Sequence, residues 1–481
     1  MKINKRLTLK QGCIVSLFIY IIVVVCFYFI GGEALKHSAL IEYKGTDSST
    51  IPIGEMTKDI VVTQTFIPAT DEIEAISILS STGGIHEQGT LELKLVDILS
   101  GKLLGQKNVS FSELSDNAYS SIALNSPIKS VKGKEIGLVL NVPAGTPGNT
   151  ISVWYDQKSV FSGGGVLNIN GQKQKGTLCV SYYGRNNIGF GRYYWVIMSI
   201  LGILFAIYSM VLINKQKKNR RSLTLTVIMN FTRYSFLLKQ LVARDFKTKY
   251  KRSVLGVLWS FLNPLLTMLV QYIIFSTLFN NHIPNFVVYL LIGIVFFSFF
   301  SEATSMGLMS IIGNTSLITK VYIPKYIFPV SRVLSSVINF LISMIPLFIA
   351  ALVTHAPIRP ALLLLPFSII CTVVLCIGLS FILSAAMVYF RDTQFLWNVI
   401  SVLWMYATPI FYPESILPQQ LLPLFKMNPL YHFIRFTRTI MLDGVSPEPQ
   451  AYLFCIIAAF IPLIAGILIF KKSQDKFILK I

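Results

Sequence analysis

Residues 241–264 read LVARDFKTKYKRSVLGVLWSFLNP, and the character of the sequence changes abruptly within this stretch. Its first half carries the basic cluster, which we define as Arg244, Lys247, Lys249, Lys251 and Arg252. From Ser253 the chain contains no Asp, Glu, Lys or Arg until Glu302. Such a change from basic to apolar sequence is typical of the cytoplasmic end of a membrane span. The stretch therefore predicts an integral membrane fold, and it raises the question of what the positive charge binds.

The composition agrees with a membrane protein. The 481-residue chain is 53% hydrophobic and only 13% charged, with a net charge of +20. Its basic residues lie at the ends of apolar segments and not on a separate domain, which argues against nucleic acid and favours membrane lipids as partners. Most of the six cysteines fall in apolar stretches, where thiols pack as small hydrophobic groups. No His/Cys cluster or CxxC motif indicates a metal site.

Eight apolar segments are candidates for membrane spans, each of which needs roughly 20 residues. They are residues 12–32, 193–213, 255–279, 286–303, 326–353, 361–389, 396–411 and 451–470. The first segment has the polarity of a signal peptide, but its long apolar run without a small-residue cleavage site favours a retained anchor. The loops at 313–325 and 390–394 carry Lys320, Lys325 and Arg391, while those at 280–285 and 354–360 are nearly uncharged. The positive-inside rule therefore predicts a multi-pass protein of the cell inner or plasma membrane, with both termini cytoplasmic.

Residues 33–190 differ from the rest of the chain in their pattern of apolar and polar residues, and they are predicted to lie outside the cytoplasm. Alternating runs such as TLELKLVDI (90–98) and KEIGLVLNV (134–142) are separated by turn-rich pieces such as PAGTPGN (143–149). Period-two patterning of this kind predicts an antiparallel β-sandwich. Trp154 and Tyr155 in this segment offer aromatic faces to a glycan, although packing in the core or near the membrane is the favoured interpretation.

The expected fold is an α-helical polytopic membrane protein of about eight spans with an inserted extracytoplasmic antiparallel β-sandwich domain. We divide the chain into an N-terminal tail and anchor (1–32), the β-sandwich (33–190), a second span (191–214), a basic linker with an amphipathic interface helix (215–252) and a six-span domain (253–481). The amphipathic helix, around FTRYSFLLKQLVARDF (231–246), is expected to lie in the cytoplasmic interface with its basic face on lipid phosphates. The alternative is an ordinary amphipathic helix packed on protein.

Five pieces of the second half resemble, in order, the type-2 ABC exporter permeases of the polysaccharide, O-antigen and teichoic acid export family. They are LVARDFKTKYKRSVLGVLWSFLNPLLTMLVQYIIFSTLF (241–279), GNTSLITKVYIPKYIFPVSRV (313–333), FRDTQF (390–395), TPIFYP (408–413) and MNPLYHFIRFTRTIML (427–442). The resemblance implies ATP-driven export of a lipid-linked glycan by a homodimer of this chain with two nucleotide-binding ATPase subunits. The sequence has no GxxxxGK[ST] motif, so ATP and Mg²⁺ are expected in the partner ATPase and no cofactor in this chain. The extra N-terminal anchor and outer domain depart from the family pattern.

The resemblance also implies roles for individual residues. The basic cluster would contact a lipid pyrophosphate or, alternatively, only the anionic membrane surface. Aromatic residues offered as channel lining, with packing or lipid contact as the alternative, are Tyr272, Phe275, Phe279, Phe296, Phe300, Trp397, Trp404 and Tyr406. Residues offered for coupling to the ATPase are Asn314, Leu317, Ile318, Lys320, Val321 and Lys325, with Asn314 capping a short helix. Residues offered for an outer gate are Pro409, Tyr412, Pro429, Arg435 and Arg438.

Glu302 is the one carboxylate within a span of the second half, and a packing or coupling role is favoured over a proton relay. A membrane glycosyltransferase or glycan polymerase is the enzyme alternative, but it would need paired carboxylates, and the acidic residues after Ser253 are scattered. A glycan-sensing receptor is the binding alternative, and six further spans without a signalling domain argue against it.

Overall fold

The computed structural model describes residues 9–46, 51–82, 89–158, 161, 164–218, 223–251, 254–279, 285–321, 323–418 and 420–480. The chain forms two compact units, which we describe separately. The β unit comprises Leu35–Tyr193, and the membrane unit comprises Met1–Ala34 together with Tyr194–Ile481.

The β unit consists of antiparallel strands in two sheets. The strands are β1 (Ile41–Lys44), β2 (Ile51–Pro52), β3 (Val61–Phe66), β4 (Glu72–Ser81), β5 (Thr90–Asp97), β6 (Leu103–Ser110), β7 (Ala118–Lys129), β8 (Ile136–Asn141), β9 (Ser152–Asp156), β10 (Leu167–Ile169), β11 (Gln172–Gln174), β12 (Thr177–Leu178) and β13 (Val180–Arg185). Among the described residues, one sheet has the order β1-β13-β4-β9-β12, with β2 on β9 and β7 on β4. The other has the order β11-β10-β3-β8-β5-β6.

A shared apolar core joins the two sheets, as the alternating sequence predicts. Leu91, Leu93 and Leu95 alternate along β5 and are all completely buried. Phe66 of one sheet stacks on Tyr182 of the other at 5.2 Å between ring centroids. The predicted antiparallel β-architecture is therefore confirmed, while its location outside the cytoplasm stays a prediction. Burial raises the pKa of the Cys179 thiol to about 11, so this cysteine is protonated and unreactive at neutral pH.

The membrane unit is helical. The short helix α2 (Gly189–Arg192) belongs to the β unit. The helices of the membrane unit are α1 (Leu9–Gly31), α3 (Tyr194–Lys217), α4 (Leu223–Tyr250), α5 (Leu258–Phe279), α6 (Phe286–Leu308), α7 (Thr315–Lys320), α8 (Ile327–Val353), α9 (Leu365–Tyr389), α10 (Thr393–Tyr406), α11 (Leu422–Lys426), α12 (Pro429–Arg438), α13 (Pro449–Ser473) and α14 (Phe477–Lys480). Within the described residues, seven helical segments are long and apolar enough to cross a membrane. The polytopic helical fold is thereby confirmed.

The predicted span at 396–411 differs from the structure. Here α10 has 14 residues, which at 1.5 Å per residue is shorter than the hydrocarbon core. The helix ends before Thr408-Pro409, because proline lacks an N–H and disfavours helical backbone in the residue before it. The chain continues through short helical pieces, α11 and α12, before α13.

The core of the membrane unit surrounds α6. Phe296, Phe299 and Phe300 of α6 are buried, and Phe299 stacks on Phe340 of α8 at 4.4 Å. Behind α6, helices α9 and α13 meet backbone to backbone, since a Cβ on Gly378 would lie 2.5 Å from the Leu463 nitrogen. A Cβ on Gly466 would meet the Gly378 carbonyl oxygen. Small residues permit such close approach between membrane helices.

The two N-terminal spans, α1 and α3, form a pair that packs on this core. The Tyr20 hydroxyl donates to the Met198 carbonyl at 2.7 Å, and the Tyr194 hydroxyl donates to the Val24 carbonyl at 2.6 Å. Phe27 of α1 makes an edge contact with Tyr452 of α13, with ring centroids 5.0 Å apart. The additional spans therefore belong structurally to the membrane unit.

Candidate functional site

Helix α4 brings the basic cluster to the membrane unit, and its apolar face packs on protein. Leu238 and Leu241 are buried in a cluster with Ile318, Phe328 and residues of α9, α13 and α14. This packing corresponds to the alternative given for the amphipathic helix, while its opposite face, with Lys239 and Gln240, remains exposed. The helix therefore packs against several helices of the membrane unit.

The basic cluster does not act as one surface. Arg244 forms an ion pair with Asp245 at 2.9 Å, and Lys249 forms one with Glu302 at 2.9 Å. Lys247 and Lys251 are exposed and have no ion-pair partner among the described residues. Arg252 lies outside the described residues. Two cations of the cluster are thus committed to the fold, and two face outward.

A polar network links the end of α4 to two membrane helices. The Asn339 side-chain amide of α8 donates to Glu302 of α6 at 2.7 Å, and the Tyr250 hydroxyl donates to Asn339 at 2.8 Å. The hydroxyls of Tyr250 and Ser260 are also in contact. Glu302 is therefore partnered by Lys249 and Asn339, which meets the cost of a carboxylate at this depth. The geometry agrees with the packing role favoured for Glu302.

A cavity of about 280 Å³ opens beside this network, between the end of α4 and helices α5, α6 and α8. Its polar lining includes Lys249, Glu302, Asn263 and Ser298, and its apolar wall includes Phe299. One cation, Lys249, and the amide groups of Asn263 and Asn339 beside an apolar wall suit an amphiphile with an anionic head.

A second network ties α4 to the segment of residues 313–325. Arg244 donates both to Asp245 at 2.9 Å and to the Asn314 side-chain oxygen at 3.0 Å. The other oxygen of Asp245 lies 3.3 Å from an Arg332 nitrogen of α8. Because the Asp245 side chain is only 3% exposed, this carboxylate is held between two arginines. A displacement of residues 313–325 would therefore be transmitted to both α4 and α8 through these contacts.

Asn314 precedes α7 as predicted, but its side chain does not cap the helix. Instead its amide donates to the Ser310 carbonyl at 2.8 Å, because its oxygen is already bound to Arg244. Helix α7 ends at Lys320, four residues before Pro324.

The remaining residues offered for coupling divide into inner and outer sets. Ile318 is buried and Leu317 packs against the same cluster, whereas Lys320 and Val321 are exposed. Lys325 lies over the Phe477 ring of α14 at 5.9 Å and donates to the Gln474 carbonyl. The outward surface of this segment, which we call the docking surface, consists of Ser316, Thr319, Lys320 and Val321.

Four of the aromatic residues offered as channel lining lie within the packed core or at its edge. Phe296 and Phe300 are fully buried, and Trp397 is 5% exposed with its indole N–H 3.3 Å from the Thr304 hydroxyl. The Trp404 indole donates to Asn428 at 2.7 Å. Within this chain these four side chains pack against other residues.

The other four aromatic residues lie nearer the surface of the unit. Phe275 stacks on Phe411 at 5.6 Å, and Tyr272 lies 6.1 Å from Phe286. Tyr406 is 60% exposed, and the side chain of Phe279 lies outside the described residues. Around them α5 and α10 present large exposed apolar side chains, namely Leu266, Leu269, Val270, Ile273, Ile274, Phe395, Leu396, Val399, Ile400, Val402 and Leu403.

The residues offered for the outer gate surround the break after α10. Arg438 is buried and donates to the carbonyls of Pro409 at 2.6 Å and Ile410 at 2.9 Å. Its guanidinium lies 3.3 Å from the centroid of the Tyr289 ring, a cation–π contact. The Tyr289 hydroxyl in turn donates to the Tyr412 carbonyl at 2.8 Å. Arg438 thus fixes the broken segment to α6 and has no face turned to a passing anion.

Arg435, in contrast, is on the outside of α12. Its side chain is 57% exposed, donates to the Tyr431 hydroxyl at 3.1 Å and lies 3.7 Å from Glu414. Pro429 stands at the first position of α12, where proline is favoured, and Asn428 caps the helix by accepting from the Leu430 N–H at 3.0 Å.

In the β unit, Trp154 and Tyr155 are adjacent residues of β9 and therefore point to opposite faces of its sheet. Tyr155 packs partly against the core. The two rings thus do not form one platform, and only one of them at a time is able to face a glycan.

Sequence reasoning missed three residues that organise the site: Asp245, Tyr289 and Asn339. Asp245 carried a signal, because it is a lone acid inside a basic run. Tyr289 and Asn339 carried none, since a single polar residue in an apolar span does not reveal its partner.

Comparisons with known proteins agree with the second half of the chain. A family model described as ABC-2 type transporter matches residues 237–442. The chain is 33% identical over 245 residues to the O-antigen export system permease protein RfbA of Klebsiella pneumoniae, covering 50% of this chain and 93% of that protein. It is 28% identical over 253 residues to RfbA of Myxococcus xanthus, covering 52% and 97%. The capsule polysaccharide export inner-membrane protein CtrC of Neisseria meningitidis is 26% identical over 243 residues, covering 49% and 91%.

Proposed function

Because this chain belongs to the ABC-2 type transporter family as a polysaccharide export permease, we propose that it exports a lipid-linked polysaccharide or teichoic acid across the cytoplasmic membrane. The observation that carries the proposal is the alignment with an O-antigen export permease over 93% of that protein's length. The seven apolar helical segments support a location in the inner membrane. The chain is the transmembrane subunit, and a separate ATPase supplies the energy from ATP and Mg²⁺.

Two copies of the chain form the channel in this proposal. Support comes from α5 and α10, whose apolar side chains are largely exposed in the single chain although they border the packed core. Two such faces brought together would enclose a path lined by Tyr272, Phe275, Phe279 and Tyr406. Aromatic side chains stack on the apolar faces of sugar rings, and a path lined by uncharged side chains does not bind the passing glycan tightly.

Two ATPase subunits bind the docking surface, one on each permease. The network of Asn314, Arg244 and Asp245 gives this surface a mechanical connection to α4 and α8. The exposed Lys247 and Lys251 stand where the charged head of a lipid-linked glycan would approach from the inner leaflet. Arg435 is an exposed cation near the outer gate.

The first experiment tests the exporter assignment itself. The tagged chain is expressed with the ATPase encoded nearest to its gene, and we expect the ATPase to co-purify and the strain to display surface glycan. A catalytically inactive ATPase should preserve the complex and abolish export, as measured by labelling of surface glycan. Intact surface glycan after deletion of the permease gene would overturn the proposal.

The second experiment tests the docking surface. Val321→Asp places a charge on the exposed apolar residue of this surface and should abolish ATPase co-purification. Leu424→Asp is the matched control, since Leu424 is exposed on α11, away from residues 313–325. Equal co-purification with both variants would place the ATPase elsewhere.

We assign the β unit to the outer side of the membrane, with both termini cytoplasmic, and propose that it contacts the emerging glycan or neighbouring cell-wall factors. Support comes from the basic residues before α1 and after α3, which favour the cytoplasmic side for both flanks. Deletion of residues 34–190 with the two spans joined should alter glycan chain length or export rate. Unchanged export and chain length would exclude glycan contact. If the deletion does change export or chain length, Trp154→Ala and Tyr155→Ala separate the two faces of β9.

A further inference from the structure

Lys249 differs from the other described members of the basic cluster because it lines a cavity of the membrane unit. It follows Lys247 by two positions, which places it on a different face of α4. There its ammonium group lies 2.9 Å from Glu302 at the edge of the 280 Å³ cavity. The Lys249 side chain is 40% exposed and that of Glu302 28%, so a ligand is able to reach the pair.

The cavity suits the head of an amphiphile in both size and lining. Its volume of about 280 Å³ accommodates a phosphate or pyrophosphate and the first atoms of an apolar tail, but not an oligosaccharide. Asn263, Ser298 and Ser343 offer neutral polar groups, while Trp259 and Phe299 form an apolar wall. Adjacent α5 presents exposed Leu266, over which an apolar tail could continue.

Glu302 is held independently of Lys249. Its second oxygen accepts a hydrogen bond from the Asn339 amide at 2.7 Å, and Asn339 is itself fixed by the Tyr250 hydroxyl at 2.8 Å. Lys249 has a flexible four-carbon stem and acts as a point charge. The lysine is therefore able to turn from the carboxylate to another anion while Glu302 keeps a hydrogen-bond donor.

We propose that this cavity binds the phosphate or pyrophosphate head of a membrane amphiphile, with Lys249 exchanging Glu302 for the ligand. Glu302 forms an ion pair with Lys249 when the site is empty, and it repels the anion when the site is filled. The carboxylate therefore keeps the affinity of the cavity for the anionic head low enough for release. Only the identity of the amphiphile depends on the proposed export function. A site of this size recognises the phosphate linkage and leaves the sugars outside.

The test measures binding to the purified full-length chain in nanodiscs of zwitterionic lipid. The probes are geranylgeranyl pyrophosphate, phosphatidylglycerol and inorganic pyrophosphate. Lys249→Gln should weaken binding of geranylgeranyl pyrophosphate about tenfold, because one charge-assisted contact is lost. Glu302→Gln should instead strengthen it several-fold, which a merely structural Glu302 would not do.

Lys472→Gln, at an exposed lysine in the last turn of α13, is the control and should leave binding unchanged. The double variant Lys249→Gln/Glu302→Gln removes both charges without leaving either unpaired, so it serves if the single lysine variant does not fold, and it should bind geranylgeranyl pyrophosphate about tenfold more weakly than Glu302→Gln. Weaker binding to Glu302→Gln, or equal binding to Lys249→Gln and Lys472→Gln, would overturn the proposal.

The three probes separate the sources of the phosphate. Preference for geranylgeranyl pyrophosphate supports a substrate head, and equal Lys249-dependent binding of phosphatidylglycerol supports a membrane-lipid head in the same site. If only inorganic pyrophosphate binds in a Lys249-dependent way, the proposal that the ligand is an amphiphile is overturned. A permease that binds these probes but exports no glycan in cells would retain the site and lose the proposed function, so the two failures are distinguishable.

Discussion

Helices α5 and α6 are consecutive apolar spans, yet they occupy opposite environments. In the most apolar stretch of α6, 72% of the residues are buried within the chain, whereas the value for α5 is 6%. The apolar character of both helices places them in a membrane, but it does not say which one is surrounded by protein. Helix α6 is therefore the centre of the membrane unit, while α5 and α10 expose apolar surface that suits lipid or a second copy of the chain.

The largest effect is expected from filling the closest contact of α6. A Cβ on Gly307 would meet the Ser380 side chain and lie 3.2 Å from the Ser380 Cα, so Gly307→Leu has no space without moving α9. We expect almost no monodisperse protein in fluorescence-detected size-exclusion chromatography. Val270→Leu on the exposed face of α5 is the control. Equal yields of the two variants would show that α6 is not enclosed as described.

A smaller but measurable effect is expected from removing a ring in the core. Phe300 is completely buried, so Phe300→Ala should cost about 3–5 kcal/mol and lower the unfolding temperature of the purified protein. Ile273→Ala on α5, where the side chain is 64% exposed, should change it by about 0.5 kcal/mol or less. A comparable loss at Ile273 would contradict the contrast between the helices.

Arg438 tests how α6 holds the broken segment after α10. Arg438→Met removes the donors to the Pro409 and Ile410 carbonyls and should cost about 1–3 kcal/mol, because buried acceptors lose their partners. Arg435→Met is the matched variant on the same helix, and its exposed ion pair should contribute about 0–1 kcal/mol. Equal decreases in unfolding temperature for Arg435→Met and Arg438→Met would contradict the role assigned to Arg438.

The smallest effect on the single chain is expected at the exposed face of α10. Leu403→Ser should leave the unfolding temperature nearly unchanged but weaken association of two copies, by roughly fivefold in Kd for about 1 kcal/mol. Mass photometry at a series of concentrations measures this. Leu201→Ser on α3 is a control that is also exposed and apolar. If Leu403→Ser and Leu201→Ser weaken association equally, or if neither weakens it, the α10 face contacts lipid and not a second copy.

Much of the fold followed from the sequence because its signals are local. Apolar runs predicted the spans, and the alternation in residues 90–98 predicted β5 with its three buried leucines. The departure at 396–411 concerns one span, because the apolar run continues past the point where Thr408-Pro409 ends the helix. A sliding count of apolar residues does not register that break.

The candidate site was less predictable because it depends on pairing between distant residues. The basic cluster reads as one patch, yet Arg244 and Lys249 turn to Asp245 and Glu302 while Lys247 does not. Arg438 and Arg435 are three residues apart on one short helix, and only the tertiary environment makes one a buried clamp and the other a surface charge. Neither distinction is written in the local sequence.

The glycine seam between α9 and α13 has a mechanical consequence. Where Gly378 and Gly466 bring two backbones into direct contact, neither helix has side chains there that could repack to allow sliding. We therefore expect α9 and α13 to keep their relative position and to move as one rigid pair. We expect any rearrangement of the membrane unit to involve α5 and α10, because many of their apolar side chains are not packed against other helices of this chain.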